Sequence, residues 1–209
     1  MELNTLILFV ISALSINLIP GPDVIYIVTT TMKNKMKSGI EASLGLGVGY
    51  LIHTIAAVLG LSALILSSAF LFTVIKYLGA LYLLYLGISS LLSCYSNDSK
   101  LTAETSNEPP KNIFKQGVII SVLNPKVAMF FLAFLPQFID PSATNATTEL
   151  LTLGLLFSVL ATCCNLFYAS LGSMLFRSPK ARKYSRILEG VSGTILVGLS
   201  AKIALTSNR

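Results

Sequence analysis

Two short stretches place a charged side chain beside a proline inside oily sequence. In NLIPGPDVIYIV, residues 17–28, Asp23 follows Pro22; in LNPKVA, residues 123–128, Lys126 follows Pro125. Proline lacks a backbone donor and clashes with the preceding turn, so Pro20, Pro22 and Pro125 break helices. An Asp or Lys at the middle of a membrane helix costs about 2.5–3.5 kcal/mol on insertion scales. A break at depth is tolerated where the freed backbone groups face protein or a water-filled cavity. Opposite charges beside two such breaks suit the reversible binding of a small molecule that carries both charges. Asp23 would take an ammonium and Lys126 a carboxylate. Gly21, Pro22, Asn124 and Pro125 would supply the broken backbone around them, with its free donors. A structural kink with snorkelled charges is the plain alternative.

His53 is the third candidate. It is the chain's single histidine. Gly45, Gly49 and His53 recur every four residues and share one helix face. Small residues at that spacing let helix backbones approach closely, which is the expected role of the glycines. An imidazole inside an apolar segment should look into the bundle or a wet cavity. A proton relay and a hydrogen-bonded structural role are both open to it. The three cysteines, Cys94, Cys163 and Cys164, lack C-x-x-C spacing. They support neither a disulfide framework nor a zinc site, and core packing is the expected role of Cys163 and Cys164. No Walker loop, H-E-x-x-H or G-x-S-x-G is present. No enzyme activity, cofactor or metal site is expected.

The elements that must position these residues are membrane helices. The chain is 54% hydrophobic and 11% charged, where a soluble domain carries about 25% charged residues. Six long apolar segments stand at about 3–30, 40–66, 70–92, 114–139, 150–176 and 187–206. A spanning helix needs about 20 residues. The start MELNT is acidic, and NLIPGPD replaces any A-x-A pattern. The first segment is therefore expected to be a span rather than a cleaved leader. The lipid bilayer is the expected surrounding of the whole chain.

The net charge of +6 is distributed as a topology signal. Lys33, Lys35 and Lys37 follow the first segment; Lys100, Lys111 and Lys115 follow the third. Arg177, Lys180, Arg182, Lys183 and Arg186 follow the fifth. The links after the second and fourth contain no Lys or Arg. Basic loops stay cytoplasmic, so both termini are expected outside and no nucleic-acid partner is expected.

The two halves look alike. Residues 1–92 and 114–209 each hold three segments, joined by a polar linker at 93–113. IPGPDV at 19–24 aligns with LNPKVA at 123–128, Pro22 on Pro125. KYLGALYLLYLG at 76–87 aligns with ILEGVSGTILVG at 187–198, placing Gly79 on Gly190 and Gly87 on Gly198. Three spans is an odd number, so the second half must cross in the opposite sense. The fold expected is an all-α integral membrane protein of six transmembrane helices. They form two inverted three-helix repeats, with helices 1 and 4 broken at the proline motifs, a plan common among secondary transporters. Gly45, Gly49, Gly79, Gly87, Gly190 and Gly198 are the expected packing glycines.

PGPD at 20–23, the run Gly39, Gly45, Gly49, His53, then GL at 60–61, KYLGALYLLYLG at 76–87 and NPKVAMFFLAFLPQFI at 124–139 occur in one order. In that order and spacing the chain resembles the LysE/RhtB family of bacterial amino-acid exporters, over nearly its whole length except the linker. The resemblance implies a multi-pass carrier of the bacterial inner membrane that moves amino acids or close analogues outward. It also implies drive by the proton or electrical gradient. A metal-ion or other small-cation exporter on the same scaffold is the alternative, although such a site should gather carboxylates or thiolates rather than Lys126. Thiol-disulfide carriers with similar repeats would need cysteines in both proline helices, and neither has one. Gly-rich faces would permit a homodimer.

Overall fold

The computed structural model describes residues 3–67, 69–95, 112–139, 145–174 and 181–205. The described residues are helical, with no strand among them. Helix α1 spans Leu3–Leu18. It stops before Pro20, whose missing N–H cannot extend the ladder. Helix α2 opens at Pro22, a first-turn position where that missing donor costs nothing. The N–H of Ile25 already bonds the Gly21 carbonyl at 3.0 Å. The first apolar segment is thus interrupted over residues 19–21.

Helix α2 continues over Pro22–Ser67 but turns sharply at Lys35, with φ 70° and ψ 176°. The sequence suggested a basic loop there; a single residue makes the turn. That conformation is almost confined to glycine and costs about 1–3 kcal/mol elsewhere. The return is close. A Cβ on Gly39 would collide with Thr31 Oγ1 and lie 3.0 Å from the Ala169 side chain.

Helix α3 (Ala69–Tyr95) runs three residues into the expected linker, of which residues 96–111 lie outside the described residues. Helix α4 (Ile113–Val122) is capped by Asn112, whose side chain accepts from Lys115 N. Helix α5 (Pro125–Met129) is capped by Asn124 in the same way. The two are bent by 46° at the break. Beyond α5 the helix widens into a π turn, Phe130–Phe134, then tightens into a 3-10 turn, Leu135–Phe138. The Leu135 N–H reaches back five residues to the Phe130 carbonyl. Pro136 has no N–H to continue an α ladder. The Gln137 amide nitrogen fills in by donating to the Ala133 carbonyl at 2.8 Å. Helices α6 (Ala146–Met174) and α7 (Ala181–Leu205) complete the chain.

Among the described residues, Pro22–Gly60 and Ala146–Leu171 are long and apolar enough to cross a membrane. The bent pair Ile113–Val122 with Pro125–Phe138 makes a third. Large apolar side chains stay exposed along the helices, including Leu59, Leu81 and Val159. That surface suits lipid rather than water.

The second half of α2 lies between α4 and α6, while α3 packs on α7. Thr54 Oγ1 and Ser158 Oγ stand 3.3 Å apart between α2 and α6. An aromatic core fills the centre. The rings of Phe130 and Phe157 stack at 4.2 Å, with Phe9, Phe131 and Phe134 around them.

Candidate substrate site

The two proline breaks bring Asp23 and Lys126 together. Asp23 sits in the first turn of α2 and Lys126 in the first turn of α5. Lys126 Nζ lies 3.1 Å from Asp23 Oδ1, with the side chains 7% and 1% exposed. The same ammonium donates to the Ile19 carbonyl at 3.1 Å, a group left free by the first break. The start of a helix favours Asp23 and disfavours Lys126. The neighbouring carboxylate and carbonyl offset the penalty on Lys126. A buried ion pair is weak evidence for stability, since desolvation cancels much of its attraction.

Gly21 leaves room for the pair. A Cβ there would lie 2.8 Å from Asp23 Oδ1 and 3.0 Å from Lys126 Nζ. Pro22 and Pro125, by contrast, are exposed. Asn124 is buried, and its Oδ1 accepts from Lys126 N at 3.0 Å. Three buried polar atoms nearby have no hydrogen-bond partner among the described residues: Asp23 Oδ2, Asn124 Nδ2 and Ser121 Oγ. Buried polar groups are almost always satisfied, because an unmade bond costs about 1–3 kcal/mol. A carboxylate oxygen and an amide donor left over beside a buried pair match the two ends of a zwitterion.

His53 comes from the second half of α2. Its Nε2 lies 3.1 Å from the Ser121 carbonyl at the end of α4, and its ring stacks on Phe131 at 5.7 Å. A carbonyl only accepts, so the proton sits on Nε2.

A model of the LysE type translocator family matches residues 14–207. The chain belongs to that family. The LysE-type chain is 33% identical over 197 residues to the leucine efflux protein of Enterobacter sp. (strain 638), covering 94% of this chain and 93% of that relative. It is 31% identical to the leucine efflux protein of Klebsiella pneumoniae, covering 94% and 92%. It is also 33% identical to the uncharacterized membrane protein YrhP of Bacillus subtilis, covering 98% and 100%. No solved structure matches. Family membership makes the chain a membrane translocator rather than an enzyme.

Sequence reasoning missed three buried polar residues near this candidate site. Tyr50, Asn165 and Tyr168 are all buried. Asn165 Nδ2 donates to Tyr50 Oη at 2.9 Å, and Tyr168 Oη donates to the Leu18 carbonyl at 3.0 Å. The signal for Asn165 and Tyr168 was an Asn and a Tyr three residues apart, on one face of the oily fifth segment.

The glycines divide. Cβ atoms on Gly45 and Gly49 would run into Phe114 O and the Ser121 side chain on α4, and one on Gly117 into Ala42 O on α2. A Cβ on Gly87 would lie 3.0 Å from Gly193 O, and one on Gly190 3.1 Å from Cys94 Sγ. Gly198, expected at a packing face, has nothing within 4 Å among the described residues, and Gly193 also makes a close contact with α3. The surroundings of Gly79 lie outside the described residues. Cys163 is exposed and Cys164 half-buried, so the vicinal pair is not the packed core feature expected. Among the described residues no group of three His, Cys, Asp or Glu side chains could hold a metal.

Proposed function

We infer that this LysE-type chain exports neutral amino acids across the bacterial cytoplasmic membrane. The observation that carries the reading is the buried Asp23–Lys126 pair, joined at 3.1 Å between two broken helices, with Asp23 Oδ2 left over. When the site is empty the two charges compensate one another. A zwitterion enters between them, its ammonium on Asp23 and its carboxylate on Lys126. Asn124 Nδ2 offers the carboxylate a further donor. One carboxylate and one ammonium are then matched, and the pair leaves no counter-charge for a charged substrate side chain. The relatives named leucine efflux protein support an apolar cargo. Protonation of Asp23 weakens its hold on the ammonium and couples release to a proton gradient.

The scaffold in this reading is six spans in two inverted repeats, 1–92 and 114–209, with both termini outside. Equivalent packing of α2 on α6 and of α3 on α7 supports it. The test is export from cells loaded with single amino acids, with and without the chain. Faster loss of leucine than of lysine or glutamate is expected. Selective loss of lysine would overturn the neutral-cargo reading. Cadmium export without amino-acid export would replace it with a cation carrier.

A further inference from the structure

Leu18 stands four residues before Pro22, and Ser121 four residues before Pro125. These two equivalent carbonyls lie at the ends of α1 and α4, where a helix leaves carbonyls without intrahelical partners. In an apolar medium such groups must be met from within the protein. Each accepts from a ring of the opposite half, Ser121 O in addition to its turn bond from Asn124 N. Tyr168 on α6 donates to Leu18 O at 3.0 Å. His53 on α2 lies 3.1 Å from Ser121 O.

Both bonds sit next to groups that hold Lys126. Leu18 precedes Ile19, whose carbonyl accepts from Lys126 Nζ at 3.1 Å. Ser121 O also accepts from Asn124 N at 3.1 Å, and Asn124 in turn caps Lys126 N at 3.0 Å. Tyr168 therefore steadies the peptide that adjoins the one on which the ammonium rests, and His53 the turn from which the ammonium projects.

We propose that Tyr168 and His53 are a matched pair of positioning residues, each holding the helix break of the other half. Together they set the distance between Asp23 and Lys126. The inference rests on reading that pair as the transport site. Tyr168 holds its carbonyl as a neutral hydroxyl. His53 donates from Nε2 whether the ring is neutral or charged, so its grip does not depend on proton transfer. A glutamine amide at position 53 can place a donor where Nε2 stands but cannot relay a proton.

The test uses the full chain as wild type, Tyr168→Phe, His53→Ala and His53→Gln, measuring membrane abundance and the concentration dependence of leucine export. Loss of one part-buried hydrogen bond at the site should raise the half-saturating concentration about tenfold for Tyr168→Phe and for His53→Ala, with abundance unchanged. His53→Gln should recover most of what His53→Ala loses. Hydrogen exchange of the purified chain supplies a readout that needs no cargo. Tyr168→Phe should speed exchange in residues 17–22 alone, and His53→Ala in residues 119–126 alone. Unchanged exchange and half-saturation in Tyr168→Phe would overturn the pairing. His53→Gln as impaired as His53→Ala would overturn the positional role in favour of a relay. If no variant exports an amino acid but the local exchange changes appear, the cargo reading fails and the paired grip stands.

Discussion

The ammonium of Lys126 lies 3.1 Å from Oδ1 of Asp23, across 103 residues of chain. No other protein carboxylate or ammonium is needed to explain how either charge is tolerated there. Removing one partner of such a buried pair leaves an uncompensated charge, at about 3–5 kcal/mol.

Asp23→Asn and Lys126→Met should therefore each abolish export, and the double variant should regain membrane abundance without regaining export. The swap Asp23→Lys/Lys126→Asp should also restore abundance. Export should stay low in the swap, because the Ile19 carbonyl that now meets an ammonium would face a carboxylate. Parallel immunoblots and efflux rates check all four. Wild-type efflux from either single variant would reject the clamp.

Gly21→Ala tests the same geometry without touching a charge. Its Cβ would crowd both Asp23 Oδ1 and Lys126 Nζ. Those atoms are ends of flexible side chains, so the chain should fold normally with the pair pushed apart. A weakened charged hydrogen bond, worth about 1.5–3 kcal/mol, should lower efflux by roughly tenfold or more at unchanged abundance.

Glycine packing predicts opposite signs at different positions. Gly45→Ala meets the Phe114 backbone and should lower the melting temperature and the yield. Gly198→Ala and Gly60→Ala meet nothing within 4 Å among the described residues. Each should be neutral or stabilising by up to about 1 kcal/mol, the helix preference for Ala over Gly. Thermal melts in detergent separate the two classes.

Lys35 is the one non-glycine residue with positive φ among the described residues. Lys35→Gly should raise the melting temperature by relieving about 1–3 kcal/mol of strain, less about 0.5–1 kcal/mol of added chain entropy. Lys35→Val should lower it, since a β-branched residue is least able to adopt that conformation.

Reporter fusions test the orientation. Eleven Lys and Arg flank the links near residues 35, 105 and 181, against none in the other two links. Cytoplasmic reporters should be active at those three positions and inactive at both termini. An exported 177–186 link would reverse the topology.

Sequence alone determined the features that are local. Pro22 and Pro125 locate the breaks because a proline's missing donor and fixed φ act within one turn, whatever surrounds it. The apolar segments follow from the lengths of the oily runs, and the glycine face of α2 from helical period. The tertiary structure decided everything that depends on how one helix is rotated against another. Periodicity gives the spacing of residues on a face but not which helix that face meets. Thus Asp23 and Lys126 could be named as candidates, while their contact could not. Asn165 and Tyr168 read as ordinary members of an oily span until the packing of α6 set Asn165 against Tyr50 of α2 and Tyr168 against the first break. Gly193, which no motif singled out, meets α3 because the phase of α7 is set by the side chains packed on it. The π turn at Phe130–Phe134 likewise reflects packing around Pro136, which fits Phe130 against Phe157 and with it the helix that carries Lys126.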